Sequence, residues 1–215
     1  MTLITAQDLS VGYEGKPVAE HISFTVNEGD YLCSVGENGS GKTTQINILR
    51  EYLENKGYVV LLTREPGGTP VSEKIRELIL DTANSDMDSM AEAMLYAAAR
   101  AQLVNQFIRP ALEEGRIVIC DRFVDSSIAY QAYGRQLGDS VENINSYAVG
   151  DCMPDLTILL KVAPETGNER ISGREKDRIE SAPSDFHERV YQGYLELEKA
   201  NPERIIGIEA GNSIE

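Results

Sequence analysis

Short apolar runs alternate with amphipathic stretches over most of the chain. Five runs are rich in Val, Ile, Leu and Tyr and have the length of strands, and they cover residues 31–35, 58–63, 117–121, 156–161 and 204–209. Runs of this kind are typical of parallel strands that are covered on both faces. The pattern predicts an α/β fold with a five-stranded parallel sheet flanked by helices.

Between the strands, apolar residues recur at helical spacing. Two predicted stripes consist of Ile46, Leu49 and Leu53, and of Ile75, Leu78 and Ile79. The stretch 90–114 is rich in Ala and Leu and contains Pro110, which predicts a kink or a break. A last helix is predicted over 186–200, with Val190, Tyr194 and Leu197 on one face.

The first thirty residues have a different pattern. Residues 3–13 and 18–26 are strand-like and are joined by Glu14-Gly15-Lys16-Pro17, and a second turn at 27–30 leads into the next strand. This predicts an antiparallel meander containing a β-hairpin. We therefore divide the chain into an N-terminal unit, 1–30, and a main domain, 31–215.

Composition narrows the choice of partners. The 215 residues carry a net charge of −15, which argues against a nucleic-acid or anionic membrane surface. We find no apolar run of membrane-spanning length and no signal-peptide pattern at the start. Cys33, Cys120 and Cys152 lack metal-ligand spacing, which favours buried reduced thiols in a cytoplasmic protein.

One loop carries a specific chemical signal. It fits G-x-x-x-x-G-K-[ST], follows a predicted strand and opens a predicted helix, and its residues are Gly36-Glu37-Asn38-Gly39-Ser40-Gly41-Lys42-Thr43. Backbone N–H groups of such a loop close around phosphates, and the helix N-terminus adds positive potential. We expect Lys42 to reach the β- and γ-phosphates of ATP, and Thr43 to hold Mg²⁺.

Several further motifs occur together in one order. They are Thr43-Thr44-Gln45, Thr63-Arg64-Glu65-Pro66-Gly67-Gly68-Thr69, Tyr96-Ala97-Ala98-Ala99-Arg100-Ala101-Gln102, Asp121-Arg122-Phe123-Val124-Asp125-Ser126-Ser127-Ile128-Ala129-Tyr130-Gln131 and Gly173-Arg174-Glu175-Lys176-Asp177-Arg178-Ile179-Glu180. From about residue 36 to the end, this set resembles the bacterial thymidylate kinases. The resemblance implies transfer of the ATP γ-phosphoryl group to dTMP, with Mg²⁺, and a homodimer as in much of that family.

The resemblance also implies roles for individual residues. For ATP binding these are Gly36, Glu37, Asn38, Gly39, Ser40, Gly41, Lys42, Thr43, Thr44, Arg170 and Arg174. For dTMP binding they are Asn38, Arg64, Tyr96, Arg100, Arg122, Ser127, Tyr130 and Gln131. Thr43 and Asp121 would hold the metal, and the catalytic set would be Lys42, Asp121, Arg122 and Arg174. By spacing alone, Tyr96 and Arg100 are more typical of a core tyrosine beside a surface arginine.

A lid is implied over about residues 170–181. Arg170, Arg174 and Arg178 recur every four residues, which predicts one helical face or a loop close to it. Such a pattern usually marks a solvated face, but in the resembling family this segment closes over ATP and brings cations to the transferring phosphoryl group.

The chain also departs from that family. Residues 3–42 instead resemble the start of an ABC-transporter ATP-binding subunit, as though two families were joined within the phosphate loop. Asn38 stands where the family has a carboxylate that binds the 3′-OH, and Val35 replaces its preceding Glu, so we expect a weaker acceptor site that Asn38→Asp would improve. Residues 210–215 resemble only the start of the family's last helix.

Two alternatives to a kinase remain from the sequence. One is an ABC-type ATPase, although we find no Leu-Ser-Gly-Gly-Gln motif and no apolar strand that ends in Asp-Glu. The other is a nucleotide-binding module with little or no turnover.

Overall fold

The computed structural model describes residues 2–13, 16–173 and 175–211. The strands are β1 (Thr2–Tyr13), β2 (Lys16–Asn27), β3 (Tyr31–Gly36), β4 (Val60–Arg64), β5 (Ile117–Asp121), β6 (Leu156–Lys161) and β7 (Ile205–Glu209). The helices are α1 (Lys42–Asn55), α2 (Pro70–Leu80), α3 (Ser89–Leu103), α4 (Arg109–Glu113), α5 (Val124–Ser127), α6 (Ser140–Val149), α7 (Pro164–Arg170) and α8 (Ser184–Ala200).

The central sheet contains five parallel strands in the order β4-β5-β3-β6-β7. This confirms the predicted five-stranded sheet, whose strands begin and end within two residues of their expected positions. Strand β3 lies in the middle, and all six of its residues are buried. Because the carboxyl ends of parallel strands meet at one edge, the loops after β3, β4 and β5 are brought together there.

The two faces of β3 contribute to two different cores. Tyr31, Cys33 and Val35 belong to a cluster that includes Val190 and other residues of α8. Leu32 points to the opposite cluster, which includes residues of α1. This alternation is the two-residue period of a strand. The apolar run is therefore explained by helices on both faces of the sheet.

Among the described residues, the N-terminal strands pair only with each other. Strands β1 and β2 form a two-stranded antiparallel sheet, as predicted for a hairpin. The prediction of a longer meander is wrong, since β3 pairs in parallel with β5 and β6. An apolar strand such as β3 requires cover on both faces, which a hairpin edge would not provide. Val26 is buried in the second core, and Ile4 and Phe24 pack against it.

Two details of the helices also differ from expectation. Leu78 is 52% exposed while Ile79 is fully buried, so the stripe on α2 is narrower than predicted. Pro110 does not break the helix, because α3 continues through a π-helical turn at Val104–Ile108 into α4. Pro110 directly follows this wider turn, where the hydrogen-bonding pattern of the helix changes and a residue without an N–H can be accommodated.

The three cysteines are free and buried, as predicted. No helix within the described part of the chain is long and apolar enough to cross a membrane.

Candidate active site

A cavity of about 730 Å³ opens at the carboxyl ends of β3, β4 and β5. Most of the residues expected at a nucleotide site line it, namely Asn38, Gly39, Gly41, Lys42, Thr43, Thr44, Arg64, Tyr96, Arg100, Asp121, Arg122, Ser127, Tyr130, Gln131 and Arg170. Gly36, Glu37 and Ser40 belong to the same loop but do not line the cavity. Arg174 lies outside the described residues.

The phosphate loop is packed tightly against the sheet. A side chain at Gly36 would meet the carbonyl oxygen of Leu160 on β6, and Gly41, which precedes α1, has a left-handed backbone with φ +89°. Only glycine satisfies both requirements without strain. The loop therefore presents its backbone to the cavity at the N-terminus of α1, as an anion site requires.

Lys42 is held inside this loop. Its Nζ donates to the carbonyl oxygens of Gly36 at 3.1 Å and Glu37 at 2.9 Å. Burial, followed by the nearby charge of Arg122, lowers the pKa of Lys42 to about 7. A phosphate group would offer the ammonium a stronger acceptor than the two carbonyls do.

Glu37 has its side chain beneath the loop rather than in the cavity. Its Oε2 accepts from the Tyr130 hydroxyl at 3.3 Å and lies 3.8 Å from Nδ1 of His187, which is also buried. Any contact of Glu37 with a ligand in the cavity would therefore be made by its backbone. The sequence did not predict that His187 lies near Glu37, because a histidine in an amphipathic helix does not indicate which distant residue it will contact.

Asn38 bridges two charged side chains at the cavity wall. Its Oδ1 accepts from Nη2 of Arg122 at 2.7 Å, and its Nδ2 donates to Oε1 of Glu180 at 2.6 Å. Glu180 itself is only 5% exposed. Both ends of the Asn38 amide are engaged. This argues against the expectation that a carboxylate at position 38 would improve the acceptor site.

Arg122 is fixed by its backbone and by aromatic neighbours. It has φ +72°, a conformation that is uncommon outside glycine. Its guanidinium lies 5.1 Å from the centre of the Tyr130 ring, and Nη1 donates to the Tyr194 hydroxyl at 3.1 Å. The neighbouring Asp121 leaves Oδ1 buried with no hydrogen-bond partner in the described chain. A cation and an unused carboxylate oxygen therefore stand side by side at the end of β5.

Arg64 occupies the corresponding position at the end of β4. Its Nη2 forms hydrogen bonds of 3.0 and 3.2 Å with the carboxylate of Glu73, and its side chain is 47% exposed. Arg64 pairs with Asp121 in the register of β4 and β5, which brings Arg64 and Arg122 to the same edge of the sheet. Two guanidinium groups there can bind a phosphate between them.

The other end of the cavity contains a buried ion pair. Arg100 is 1% exposed, and its Nε donates to Oε2 of Glu65 at 2.7 Å. Its Nη1 donates to the Ser127 hydroxyl at 3.1 Å and to Oδ1 of Asn145. Most of the guanidinium is thus engaged within the protein. The spacing-based interpretation of a surface arginine is wrong, because Glu65 on the loop after β4 compensates its charge.

Glu65 was not predicted as a site residue. Burial raises the pKa of Glu65 to about 7 against the opposing effect of Arg100. Tyr96, one helical turn before Arg100, lines the same end of the cavity, and burial raises the pKa of its hydroxyl. This end is lined by an aromatic ring and by an arginine that is already paired with Glu65, which suits an uncharged ring rather than a phosphate.

Gln131 lies beside these residues in a second π-helical turn, Ile128–Gly134. Its Nε2 donates to Oε1 of Glu92 at 3.0 Å, while its Oε1 is buried and has no partner among the described residues. Glu92 is fully buried and was missed by the sequence analysis. In sequence it is one glutamate in an Ala-rich helix, and its partners Arg135 and Arg178 are far along the chain.

Of the predicted row of lid arginines, the two that the structure describes, Arg170 and Arg178, have different partners. Arg170 ends α7, and its Nη1 donates to the carbonyl oxygens of Gly39 at 3.1 Å and Ala210 at 3.0 Å. Arg178 points elsewhere, since its Nε donates to Ile79 at 2.7 Å and its Nη2 contacts Glu92. Because the helix ends at Arg170, four-residue spacing no longer places Arg178 on the same face as Arg170.

The metal expectation is compatible with the residues present. Within the described residues, no group of three or more His, Cys, Asp or Glu side chains could hold a metal ion. Asp121 with its unused oxygen, together with Thr43, could supply one or two ligands. Mg²⁺ commonly takes few protein ligands and completes its shell with phosphate oxygens and water.

Comparisons with known proteins agree on one family. Residues 36–215 match the family described as "Thymidylate kinase". A thymidylate kinase of Exiguobacterium sp. is 50% identical over 189 residues, covering 87% of this chain and 89% of the relative. One from Bacillus velezensis is 47% identical over 191 residues, covering 87% and 90%. A crystal structure of thymidylate kinase from Ehrlichia chaffeensis has a TM-score of 0.70 and 34% identity, covering 83% and 91%.

Proposed function

The chain belongs to the thymidylate kinase family, and from this premise we propose how its residues transfer the γ-phosphoryl group of ATP to dTMP, giving dTDP. One observation carries the proposal. A single cavity has the phosphate loop, Arg64 and Arg122 at one end, and Tyr96 with the paired Arg100 at the other. The first end suits phosphates and the second suits a base.

ATP would place its phosphates against the backbone of residues 36–44. Lys42 would leave the carbonyl oxygens of Gly36 and Glu37 for the β- and γ-phosphates, because a charged acceptor binds an ammonium more strongly than a carbonyl does. Arg170 holds the loop through Gly39 and would stand beside the triphosphate. We also propose that Arg174, in the predicted lid, brings positive charge to the transferring phosphoryl group.

dTMP would place its phosphate between Arg64 and Arg122. Arg122 is already positioned by Asn38 and Tyr194, so little side-chain entropy is lost on binding. Arg64 would share its guanidinium between the phosphate and Glu73. The thymine ring would lie near Tyr96, Arg100, Ser127 and Gln131, with Tyr130 at the sugar, where it would favour deoxyribose.

Thr43 and Asp121 would hold Mg²⁺ together with phosphate oxygens. When bound, the metal would neutralise charge on the β- and γ-phosphates and help to align them. The protein's own part is to hold donor and acceptor in line and to surround the transferring group with Lys42 and arginines. No covalent enzyme intermediate is needed for such a transfer.

A coupled assay with ATP, Mg²⁺ and dTMP tests this function. We expect turnover that depends on dTMP and falls at least a hundredfold in Lys42→Ala, as for the loss of a main electrostatic group. Lys199→Ala is the matched control, because Lys199 is 79% exposed and far along α8. ATP hydrolysis without dTMP would instead support the ATPase alternative, and nucleotide binding without turnover would support an inert module.

A homodimer is also proposed. Helices α2, α3 and α6 pack side by side and carry exposed apolar side chains, namely Val71, Leu78, Met94 and Tyr147. Tyr147 is 91% exposed. A second copy of the chain covering these helices would remove that apolar surface from water.

A further inference from the structure

Glu92 is a buried carboxylate surrounded by donors. Nε and Nη2 of Arg135 lie 3.2 Å from its Oε1 and 2.9 Å from its Oε2, and Nη2 of Arg178 lies 2.8 Å from Oε2. Burial by itself raises the pKa of Glu92, but hydrogen bonds from Arg135, Gln131 and Arg178 more than offset this and lower it. Glu92 is therefore ionised at neutral pH, when a carboxylate can only accept hydrogen bonds.

The third donor to Glu92 is the amide of Gln131. A glutamine amide has a donor end and an acceptor end, and it can present either one by a half-turn. Because Glu92 has no hydrogen to donate, only the NH₂ end can face it, as the 3.0 Å contact from Nε2 shows. The oxygen is then the end left over. Gln131 lines the cavity, is 1% exposed, and has an Oε1 with no partner among the described residues.

A buried acceptor without a partner in a cavity wall favours a ligand that places an N–H against it. It disfavours a ligand that places a lone pair there. Thymine and uracil carry N–H at N3, whereas the N3 of cytosine is an acceptor. We propose that Glu92 is a positioning residue for base specificity: it fixes the direction of the Gln131 amide, so that the site takes pyrimidines with an N3–H and refuses cytosine. This rests on the proposed function, in which the acceptor base lies at this end of the cavity.

Two arginines make this arrangement rigid. Arg135 reaches Glu92 from the residue after the second π-helical turn, and Arg178 reaches it from the segment before α8. A carboxylate held from both sides cannot rotate to release the amide. Without Glu92, the Gln131 amide could adopt either orientation. The selectivity for bases with an N3–H therefore depends on Glu92 and Gln131 together.

The test compares kcat/KM for dTMP and dCMP. Turnover of dTMP by the unmodified protein is measured first, so that failure of the proposed function is recognised separately. In Glu92→Gln the new amide can donate, Gln131 can turn, and the preference for dTMP over dCMP should fall about 5- to 150-fold. Glu54→Gln, at an exposed position on α1, is the matched control and should keep the preference.

Two further variants keep the proposal testable if Glu92→Gln does not fold. Glu92→Asp retains the charge for both arginines but withdraws the acceptor from Gln131, so the preference should also fall. Gln131→Met removes the amide acceptor, so it should lower dTMP use and also reduce the preference for dTMP over dCMP. An unchanged ratio of dTMP to dCMP in Glu92→Asp, or undiminished dTMP use in Gln131→Met, would overturn the proposal.

Discussion

The amide nitrogen of Asn38 lies 2.6 Å from Oε1 of Glu180, so a hydrogen bond joins the phosphate loop to the segment before α8. The oxygen of the same amide accepts from Arg122, which places Asn38 between an anion and a cation. An aspartate at position 38 could accept the hydrogen bond from Arg122, but an ionised carboxylate has no hydrogen to donate to Glu180. Asparagine is thus matched to both neighbours.

This pairing predicts the opposite of the sequence-based expectation for Asn38→Asp. The new carboxylate would face the buried carboxylate of Glu180, so dTMP affinity should fall by roughly tenfold. Adding Glu180→Gln supplies an amide donor and should restore most of the loss. Titration of dTMP into the single and double variants measures both effects. Tighter binding by Asn38→Asp alone would show that Asn38 contacts the sugar instead.

Lys42 should take up a proton when ATP binds. Its pKa is lowered to about 7 from 10.5, so the neutral amine is favoured in the nucleotide-free protein above pH 7. The phosphates of ATP restore the charged form, and affinity should therefore decrease as the pH rises from 7 towards 10.

The same pKa shift of Lys42 also makes folding stability depend on pH. A lowered lysine pKa gives stability that is present above pH 10.5 and is lost as the pH falls through about 7. Calorimetry of ATP binding at pH 8, in buffers with different ionisation enthalpies, should detect uptake approaching one proton. Lys42→Arg, which stays charged, should take up none. Equal uptake by both proteins would contradict the assignment.

The base of the hairpin should contribute to the stability of the main domain. Val26 is 1% exposed and shares a core with Leu32 and Ile46, so Val26→Ala should lower the free energy of unfolding by about 2 kcal/mol. Thr25→Ala, at the exposed neighbouring position, should cost less than about 0.5 kcal/mol. Chemical denaturation measures both. Equal, small effects would mean that the hairpin is not docked on that core.

The proposed dimer should depend on the exposed apolar side chains of α2 and α3. Leu78→Glu should shift the protein to a monomer in light scattering at micromolar concentration, since a charge would be buried without a partner. Ile48→Glu is the matched control, because Ile48 is 55% exposed on α1. Loss of the dimer in both variants, or in neither, would place the interface elsewhere.

The sequence predicted local features better than relations between distant segments. The five strands and the context of the phosphate loop follow from short patterns, because local periodicity reports burial directly. The strand order does not, since it depends on which strands pair. Leu78 was misassigned because one apolar residue at helical spacing does not show how wide the buried face is.

The charged residues of the site show the same difference. Arg64, Asp121 and Arg122 could be placed from motifs that end predicted strands. Glu92 and Glu180 could not, because each acquires its role from partners that the fold brings from another part of the chain. For the same reason Arg178, which the family resemblance placed in the lid, is a partner of Glu92.

The π-helical turn at Ile128–Gly134 makes the length of this segment as important as its composition. Each residue of an α-helix advances the chain by about 100°, so deleting one residue here would rotate everything after it by that amount. Arg135 would leave Glu92 although no side chain had been replaced. An insertion or deletion in this turn should therefore be tolerated less than most substitutions. The number of residues between Gln131 and Arg135 thus contributes to the base preference, because it sets whether both side chains reach Glu92.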